Sequence, residues 1–462
     1  MDMRTSAPYR PLGGWLEAPP PDNDAPPLQQ DLRADVVVVG AGFAGLCTAL
    51  ELAARGAEVV VLERETAGFG ASGRNAGYLA GALGIEYELF LRRVGHDAGR
   101  QIVRFYEEGV DYVERILATH GIDCDYTASG LVRAGVHAAQ ERKLRKDRAT
   151  GETLGFHCQW LDGAAMRRRG IPPAFRFGCY TPRGGTLDPG KYVLGLRQAA
   201  LRAGVRLHER TAVQSWSTGP VCEVRTARGT VRAPHLVLAT NAYTPRLGLL
   251  ADKVQPIRVS ALETEPLNAD QRTALGWPGR EGVVTAHWTM ESHRLTARNT
   301  LLVTTKRLHY SYGSRTPHEP DEAAYRALSQ ALRDRFPQLA GIGTRACWSG
   351  WVSLAADALP VVGEAGAQGN VHYAAGCSGH GLGTQSLIGR LLCERIAGGE
   401  PALLKALRHK TPRTLPEPLR WCALRGVLGV ANLLDARVDR QARRALPYDF
   451  EQSLTSDTAD LR

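Results

Sequence analysis

The chain has 462 residues, 44% hydrophobic and 23% charged, which excludes a disordered, collagen-like or coiled-coil protein and predicts two domains rather than one. No run of eighteen apolar residues occurs, MDMRTSAPYR carries no apolar signal core, and the nine cysteines show no CxxC or zinc-ligand spacing. A cytoplasmic protein with reduced thiols, no spanning helix and no metal is therefore expected. The net charge of +10 admits nucleic acid, an anionic surface or an anionic substrate as partner. No nucleic-acid motif accompanies that charge, so none is expected as a partner.

Residues 1–30 carry seven prolines, among them Pro19, Pro20, Pro21, Pro26 and Pro27, which predicts an extended arm laid over the body or left loose. Residues 35–39 (DVVVV) read as a strand buried on both faces of a parallel sheet. Ala44, Leu46, Ala49, Leu50 and Ala53 fall near helical spacing, so a helix over 44–54 is expected, stopping at Gly56. A second strand follows over 58–63, completing a βαβ unit.

Further along, 97–120 reads as a helix with one apolar side, and the charged run 141–148 as a solvated helix face. Strands are expected over 221–226, 236–239, 254–263, 301–305 and 371–375, and helices over 323–336 and 382–397. No internal repeat appears. Sheet segments scattered between two glycine-rich turns predict an α/β (α+β) chain. In it a discontinuous Rossmann-like domain is interwoven with a second domain built on an antiparallel sheet.

Gly40-Ala41-Gly42-Phe43-Ala44-Gly45 is a GxGxxG that follows a strand and opens a helix. Its glycines serve a tight turn, close approach to a pyrophosphate and packing of helix on strand, while the helix N-terminus offers partial positive charge. Glu63 ends the second strand, where a carboxylate accepts hydrogen bonds from ribose hydroxyls. Arg64 reads either as a reader of a ribose phosphate or as a surface residue. A second glycine-rich loop, Phe69-Gly70-Ala71-Ser72-Gly73-Arg74-Asn75-Ala76-Gly77-Tyr78, suits the passage of a long, extended cofactor.

Four segments now carry a resemblance: DVVVVGAGFAGLCTALELAARGAEVVVLER, GASGRNAGYL, HLVLATNAYTP, and WSGWVSLAADALPVVGEAGAQGNVHYAAGCSGHGLG. The chain resembles the D-amino acid oxidase superfamily of flavoenzymes, in its glycine and sarcosine oxidase-like branch, and GASGRNAG is nearest to the gamma-glutamylputrescine oxidases. The resemblance implies FAD extended across the sheet. The implied contacts are Gly40, Gly42, Phe43, Ala44, Gly45, Glu63, Arg64, Ser72, Gly73, Arg74, Asn75, Gly77 and Val213. At the ring they are Gly376, Gly379, His380, Gly381 and Leu382.

The domains expected on this basis are a proline-rich arm over 1–34, an FAD domain over 35–84, 185–255 and 345–400, a substrate domain over 85–184 and 256–344, and a basic appendage over 401–462. The second turn, residues 374–383, again lies between a strand and a helix. There a helix N-terminus stabilises negative charge at the N1–C2=O edge of a reduced flavin. His380 reads as a residue ordering the turn or as a proton-transferring base.

Sarcosine oxidases have a cysteine seven residues before an aspartate resembling Asp357. This chain has Gly350 there, and Cys347 is ten residues away. The GASGRNAG loop also lacks the histidine that some relatives link to the ring, so non-covalent FAD is expected. A lysine that receives the substrate carboxylate in sarcosine oxidases matches Gly383, which favours an amine over a carboxylate close to the reacting carbon.

On the substrate side, Arg294 reads as the holder of an anionic group or as a surface arginine. Tyr310 and Tyr312 alternate with Leu308 on one expected strand face and wall an amine pocket or fill the core. Trp348 and Trp351 enter the flavin-facing block with the same two readings, and Lys306 is a candidate charge near the ring that aids dioxygen.

Residues 408–444 hold nine Lys/Arg against three acids, with Trp421, Leu424, Leu428, Ala431 and Val438 at helical spacing. A basic amphipathic helix over 416–445 is expected to dock on the body or to touch an anionic membrane peripherally. The leading expectation is an FAD-dependent amine oxidoreductase with dioxygen or quinone as acceptor. A D-amino acid or glycine-type oxidase is the alternative, and a non-catalytic FAD-binding protein the reading from another class.

Overall fold

The valine run of residues 36–39 is the centre of the fold. In this computed structural model, which describes residues 8–19, 24–339 and 341–456 with side chains to residue 445, Val36–Val39 is buried at every position. A continuous β-branched run has no polar side to show water, so it settles where both faces of a sheet are covered. It lies fourth in a six-stranded sheet of order Val361–Ala365, Val371–Ala375, His235–Leu238, Val36–Val39, Val59–Leu62, Arg206–His208. All neighbours are parallel except the first pair. The helices Phe43–Ala53, Pro189–Arg202 and Gly381–Ile396 and the long helix Tyr87–His120 bury their apolar residues in one core with this sheet.

The second layer system is an eight-stranded sheet of order Thr344–Ala355, Val254–Thr264, Leu301–Thr305, Glu291–Leu295, Gly282–Thr285, Leu131–Gly135, Phe177–Thr181, Gln159–Leu161. It is antiparallel throughout except where Gly282–Thr285 runs parallel to Leu131–Gly135. One of its faces packs under the helix Glu322–Arg335, with Tyr325, Leu328 and Leu332 on Val283, Leu301 and Val303. Because the chain crosses between the two sheets repeatedly, residues far apart in sequence meet at their junction.

The proline-rich arm is laid over the body. Tyr9 bridges Cys347, the Cys347 N–H donates to the Pro8 carbonyl at 2.9 Å, and Trp15 and Leu16 are buried. Residues 1–7 and 20–23 of the expected arm, Pro20 and Pro21 among them, and residues 457–462 of the expected appendage lie outside the described residues. The long helix Tyr87–His120 starts ten residues before its expected position and is interrupted at Gly95, where φ is +76°. The tail forms the helix Leu419–Ser456. Among the described residues no helix is long and apolar enough to cross a membrane.

Candidate active site

Three glycines shape the first turn. Gly40 has φ +106°, and a Cβ there would lie 2.7 Å from the Ala239 carbonyl oxygen. A Cβ on Gly45 would lie 1.9 Å from the Gly40 carbonyl oxygen, so the helix Phe43–Ala53 approaches its strand only because that hydrogen is small. The helix begins at Gly42 with no side chain capping it. Its Phe43 N–H donates to Ser72 Oγ at 3.0 Å, and a Cβ on Gly42 would lie 2.9 Å from that same oxygen. Glu63, just past Val59–Leu62, accepts the N–H groups of Ala41 at 2.8 Å and Glu65 at 3.0 Å. Burial raises its pKa, and those two donors oppose the rise.

The loop 70–77 is held by its own side chains. Asn75 donates to the carbonyls of Ser72 at 2.8 Å and Ala71 at 3.2 Å, and its Oδ1 accepts the Gly77 N–H at 2.8 Å. Gly73 donates its N–H to the Gly68 carbonyl at 2.9 Å. Arg74 is buried beneath the loop, donating to the carbonyls of Phe69 at 2.6 Å and Ser349 at 3.2 Å. Gly350 makes room for it, since a Cβ at 350 would lie 3.1 Å from Arg74 Cβ. Arg64 is half-exposed, pairs with Glu65 at 3.1 Å and stands 5.5 Å from the Tyr243 ring centre. Val213 is half-buried against the cluster containing Val37, Val39 and Leu62.

The second turn is a run of left-handed backbone, with φ +70° at Gly376, +45° at Ser378 and +86° at Gly379. Ser353 supports it, accepting the N–H groups of Gly376 on its hydroxyl at 3.1 Å and of Ser378 on its carbonyl at 2.9 Å. The helix Gly381–Ile396 follows with His380 at its N-cap and no side-chain cap. Successive N–H groups in such a turn form an anion-binding concavity.

His380 lies edge-on to Tyr106 of the long helix, 5.8 Å between ring centres, with Nδ1 3.4 Å from the Ser378 carbonyl. Burial lowers its pKa, which keeps the imidazole neutral at pH 7. Leu382 is buried. Gly383 faces the long helix rather than open space. A Cβ there would lie 3.2 Å from the Gly109 carbonyl carbon, so the missing side chain serves helix packing.

The strand His235–Leu238 lies between the two strands that bear these turns, so the segment after it emerges between them. There Asn241 adopts φ +44° and donates from Nδ2 to Cys377 Sγ at 3.3 Å. It was not among the expected site residues. Its signal was present, because an asparagine just past an apolar strand readily takes left-handed backbone. Arg74 Nη2 on the first loop, Asn241 Oδ1, and Gln385 Nε2 near the start of the helix Gly381–Ile396 have no hydrogen-bond partner among the described residues, as do eleven other buried polar atoms elsewhere.

The substrate-side candidates disperse. Arg294 is buried on Glu291–Leu295, donating to the Leu187 carbonyl at 2.8 Å, with its guanidinium 4.9 Å from the Trp15 ring centre. It meets the loop 70–77, since a Cβ on Gly77 would lie 2.6 Å from its Nη2. Burial lowers its pKa to about 10, and it lines a cavity of about 250 Å³ with Trp15, Asp188, Arg280 and Arg298.

Tyr310 and Tyr312 lie on no strand. Thr305 and Lys306 take φ +76° and +52°, which turns the chain off after Leu301–Thr305. The Tyr310 hydroxyl donates to Glu417 at 2.5 Å, and the exposed Tyr312 meets Trp421 edge-on, so both contact the tail. On Thr344–Ala355, Trp348 donates to the Arg74 carbonyl at 2.9 Å. Strand alternation turns Trp351 away from the side on which Gly350 meets Arg74, and its Nε1 donates to the Pro317 carbonyl at 3.1 Å.

Lys306 is engaged elsewhere as well. Its Nζ pairs with Glu291 and with Asp439 of the tail helix, and Arg335 pairs with the same two carboxylates. His287, Glu291 and Asp439 lie close enough together for a metal, but the two cations already neutralise the carboxylates. Burial alone would raise the Glu291 and Asp439 pKa values; the surrounding cations hold both below the ordinary range.

A model of the family described as FAD dependent oxidoreductase (DAO) matches residues 35–395. Gamma-glutamylputrescine oxidoreductase of Escherichia coli is 32% identical over 380 residues, covering 80% of this chain and 85% of that protein. A probable oxidoreductase OrdL of Haemophilus influenzae is 28% identical, covering 83% and 87%. Among solved structures, glycine oxidase from Geobacillus kaustophilus superposes with a TM-score of 0.70 at 22% identity, covering 80% of this chain and 96% of that one.

Proposed function

The chain belongs to the DAO family and is an FAD-dependent oxidoreductase, and from that premise we propose that it oxidises the carbon–nitrogen bond of a small amine. A hydride leaves the α-carbon and a proton leaves the nitrogen. The imine so formed reacts with water to give an aldehyde and ammonia or a smaller amine. FAD, when bound, supplies the hydride acceptor, and dioxygen or a quinone takes the electrons onward, dioxygen giving hydrogen peroxide.

The observation that carries this reading is the meeting of loop 70–77, the segment 239–247 and the turn 376–380 at the same end of the parallel strands, joined by the Phe43–Ser72 and Asn241–Cys377 hydrogen bonds. An extended dinucleotide fits them. Gly40, Gly42, Phe43, Ala44 and Gly45 with Ser72 would hold the pyrophosphate at a helix N-terminus. Glu63 spends two acceptor sites on backbone and keeps others for ribose hydroxyls. Gly376, Gly379, Gly381 and Leu382 would offer backbone to the ring's N1–C2=O edge. His380, neutral and packed on Tyr106, orders that turn. Arg74 and Asn75 hold the loop in shape, and Gly77 gives it close approach.

The attachment is non-covalent in this reading. Gly350 stands where a linking cysteine would, and Cys347 lies on the alternate side of its strand. The Escherichia coli relative's name supports a substrate of the gamma-glutamylputrescine kind, whose carboxylate is remote from the reacting carbon. Arg294 is the candidate holder of such a distant anionic group.

Anaerobic mixing of the yellow protein with a panel of amines tests this. Amines bearing a remote carboxylate are expected to bleach the flavin band faster than glycine, sarcosine or D-alanine. The rate should rise with pH as the reactive neutral amine accumulates. Faster bleaching by the three small amino acids would transfer the assignment to a glycine-type oxidase, and no bleaching by any amine would remove amine oxidation altogether.

A further inference from the structure

The tail helix Leu419–Ser456 lies beyond the family match over residues 35–395, so nothing in the shared chemistry requires it. One side is bound to the body. Asp435 accepts the N–H groups of Trp288 and Thr289 at 2.8 Å each, Asp439 pairs with Lys306 and Arg335, and Ala442 is buried in the core under the eight-stranded sheet. Asp435 and Asp439 are the only acids between residues 419 and 445, and both are buried.

Among the described residues nothing covers the opposite side. Leu419, Val427, Val430, Leu433 and Leu434 recur at helical spacing with exposures of 56%, 66%, 58%, 72% and 41%. The same side continues into Arg437, Arg440 and Arg444, all exposed, with Arg425 on its flank. Docking has turned every carboxylate of this stretch inward and left an outward face of apolar residues followed by arginines.

We propose that this face binds the surface of an anionic lipid bilayer, its apolar half entering the boundary of the acyl chains and its arginines lying among the headgroups. An amphipathic helix of this charge pattern gains from both terms, apolar burial and attraction to anionic lipid. A second copy of the chain is a poorer occupant. Parallel pairing would set arginine on arginine, and antiparallel pairing would lay arginines on the partner's apolar half. The assignment is independent of the substrate, so either can fail alone.

The test is sedimentation of the full-length flavin-loaded protein with vesicles of phosphatidylcholine alone or mixed with phosphatidylglycerol. Binding to the mixed vesicles should exceed that to neutral ones by roughly tenfold or more and fall as salt rises. Val430→Asp combined with Leu433→Asp should abolish it without changing flavin content or melting temperature, because neither side chain supports the body. Arg437→Gln with Arg444→Gln should weaken it and flatten the salt dependence. Failure of the unaltered protein to sediment with anionic vesicles overturns the proposal, as does equal binding to neutral ones. A dimer in sedimentation velocity, dissolved by the double aspartate variant while vesicles stay unbound, assigns the face to a second copy instead.

Discussion

Ser72 Oγ accepts the N–H of Phe43 at 3.0 Å, joining two glycine-rich loops 29 residues apart at the first turn of one helix. That bond places the hydroxyl within reach of the orphan donors of a helix N-terminus, where phosphate oxygens are favoured. It also makes Gly42 sensitive to size, because the same oxygen is the atom a new Cβ would meet.

Gly42→Ala and Gly45→Ala should therefore behave differently. At 42 the obstacle is the end of a serine side chain 2.9 Å away, which can rotate, so the protein should fold and lose flavin. At 45 the obstacle is backbone carbonyl at 1.9 Å, so the helix cannot seat and folding should fail. Flavin-to-protein absorbance ratios and thermal melts distinguish the two; an unaltered melt for Gly45→Ala would contradict the packing argument.

Glu63→Gln should lower FAD affinity by about 10- to 100-fold, the loss of charge-assisted hydrogen bonds of roughly 1.5–3 kcal/mol, while leaving the chain folded. In the unaltered protein, acid precipitation should release the flavin into the supernatant. Colour retained in the pellet would mean a covalent link, and Cys377, the thiol inside the second turn, would then be the first residue to replace.

Asp439→Ala strips Lys306 and Arg335 of one of their two shared carboxylates in a buried setting, a change worth about 3–5 kcal/mol. The expected result is a lower melting temperature and a tail open to protease, with deletion from Leu415 onward giving a similar loss. Since Asp439 and Glu291 both have folded pKa values below their ordinary ones, this stabilisation is present at neutral pH and is lost as pH falls below the normal carboxylate range. An Asp439→Ala protein that melts like the parent would refute the anchoring role.

His372 supplies a second pH effect at higher pH. Burial, reinforced by neighbouring His235, lowers its pKa to about 4. The unfolded chain binds a proton at about 6.5, so between these values only the unfolded state is protonated and stability falls as pH falls. The full effect is about 3 kcal/mol. Urea melts from pH 7 to 4 should show the decline, and His372→Asn should flatten it; an identical slope in the variant would assign the decline to other groups.

The amino-acid sequence by itself determined the two turns, the strands that feed them and the first helix. Those features rest on local chemistry: glycines where φ is positive or a Cβ would collide, and β-branched runs with no polar side to expose. Leu301–Thr305 and Val371–Ala375 match their expected limits for the same reason.

Only the tertiary structure decided what the substrate-side residues touch. Lys306 meets Asp439, a partner 133 residues away, and two left-handed residues at 305 and 306 divert Tyr310 and Tyr312 to the tail. Trp351 faces away from the loop 70–77 because register, and not composition, sets which side of a strand a residue occupies. The tail shows the same division. Its charge count predicted an amphipathic helix and left docking and lipid contact as alternatives, whereas the fold uses its two aspartates to bind one face and thereby leaves the other, apolar and cationic, open to solvent.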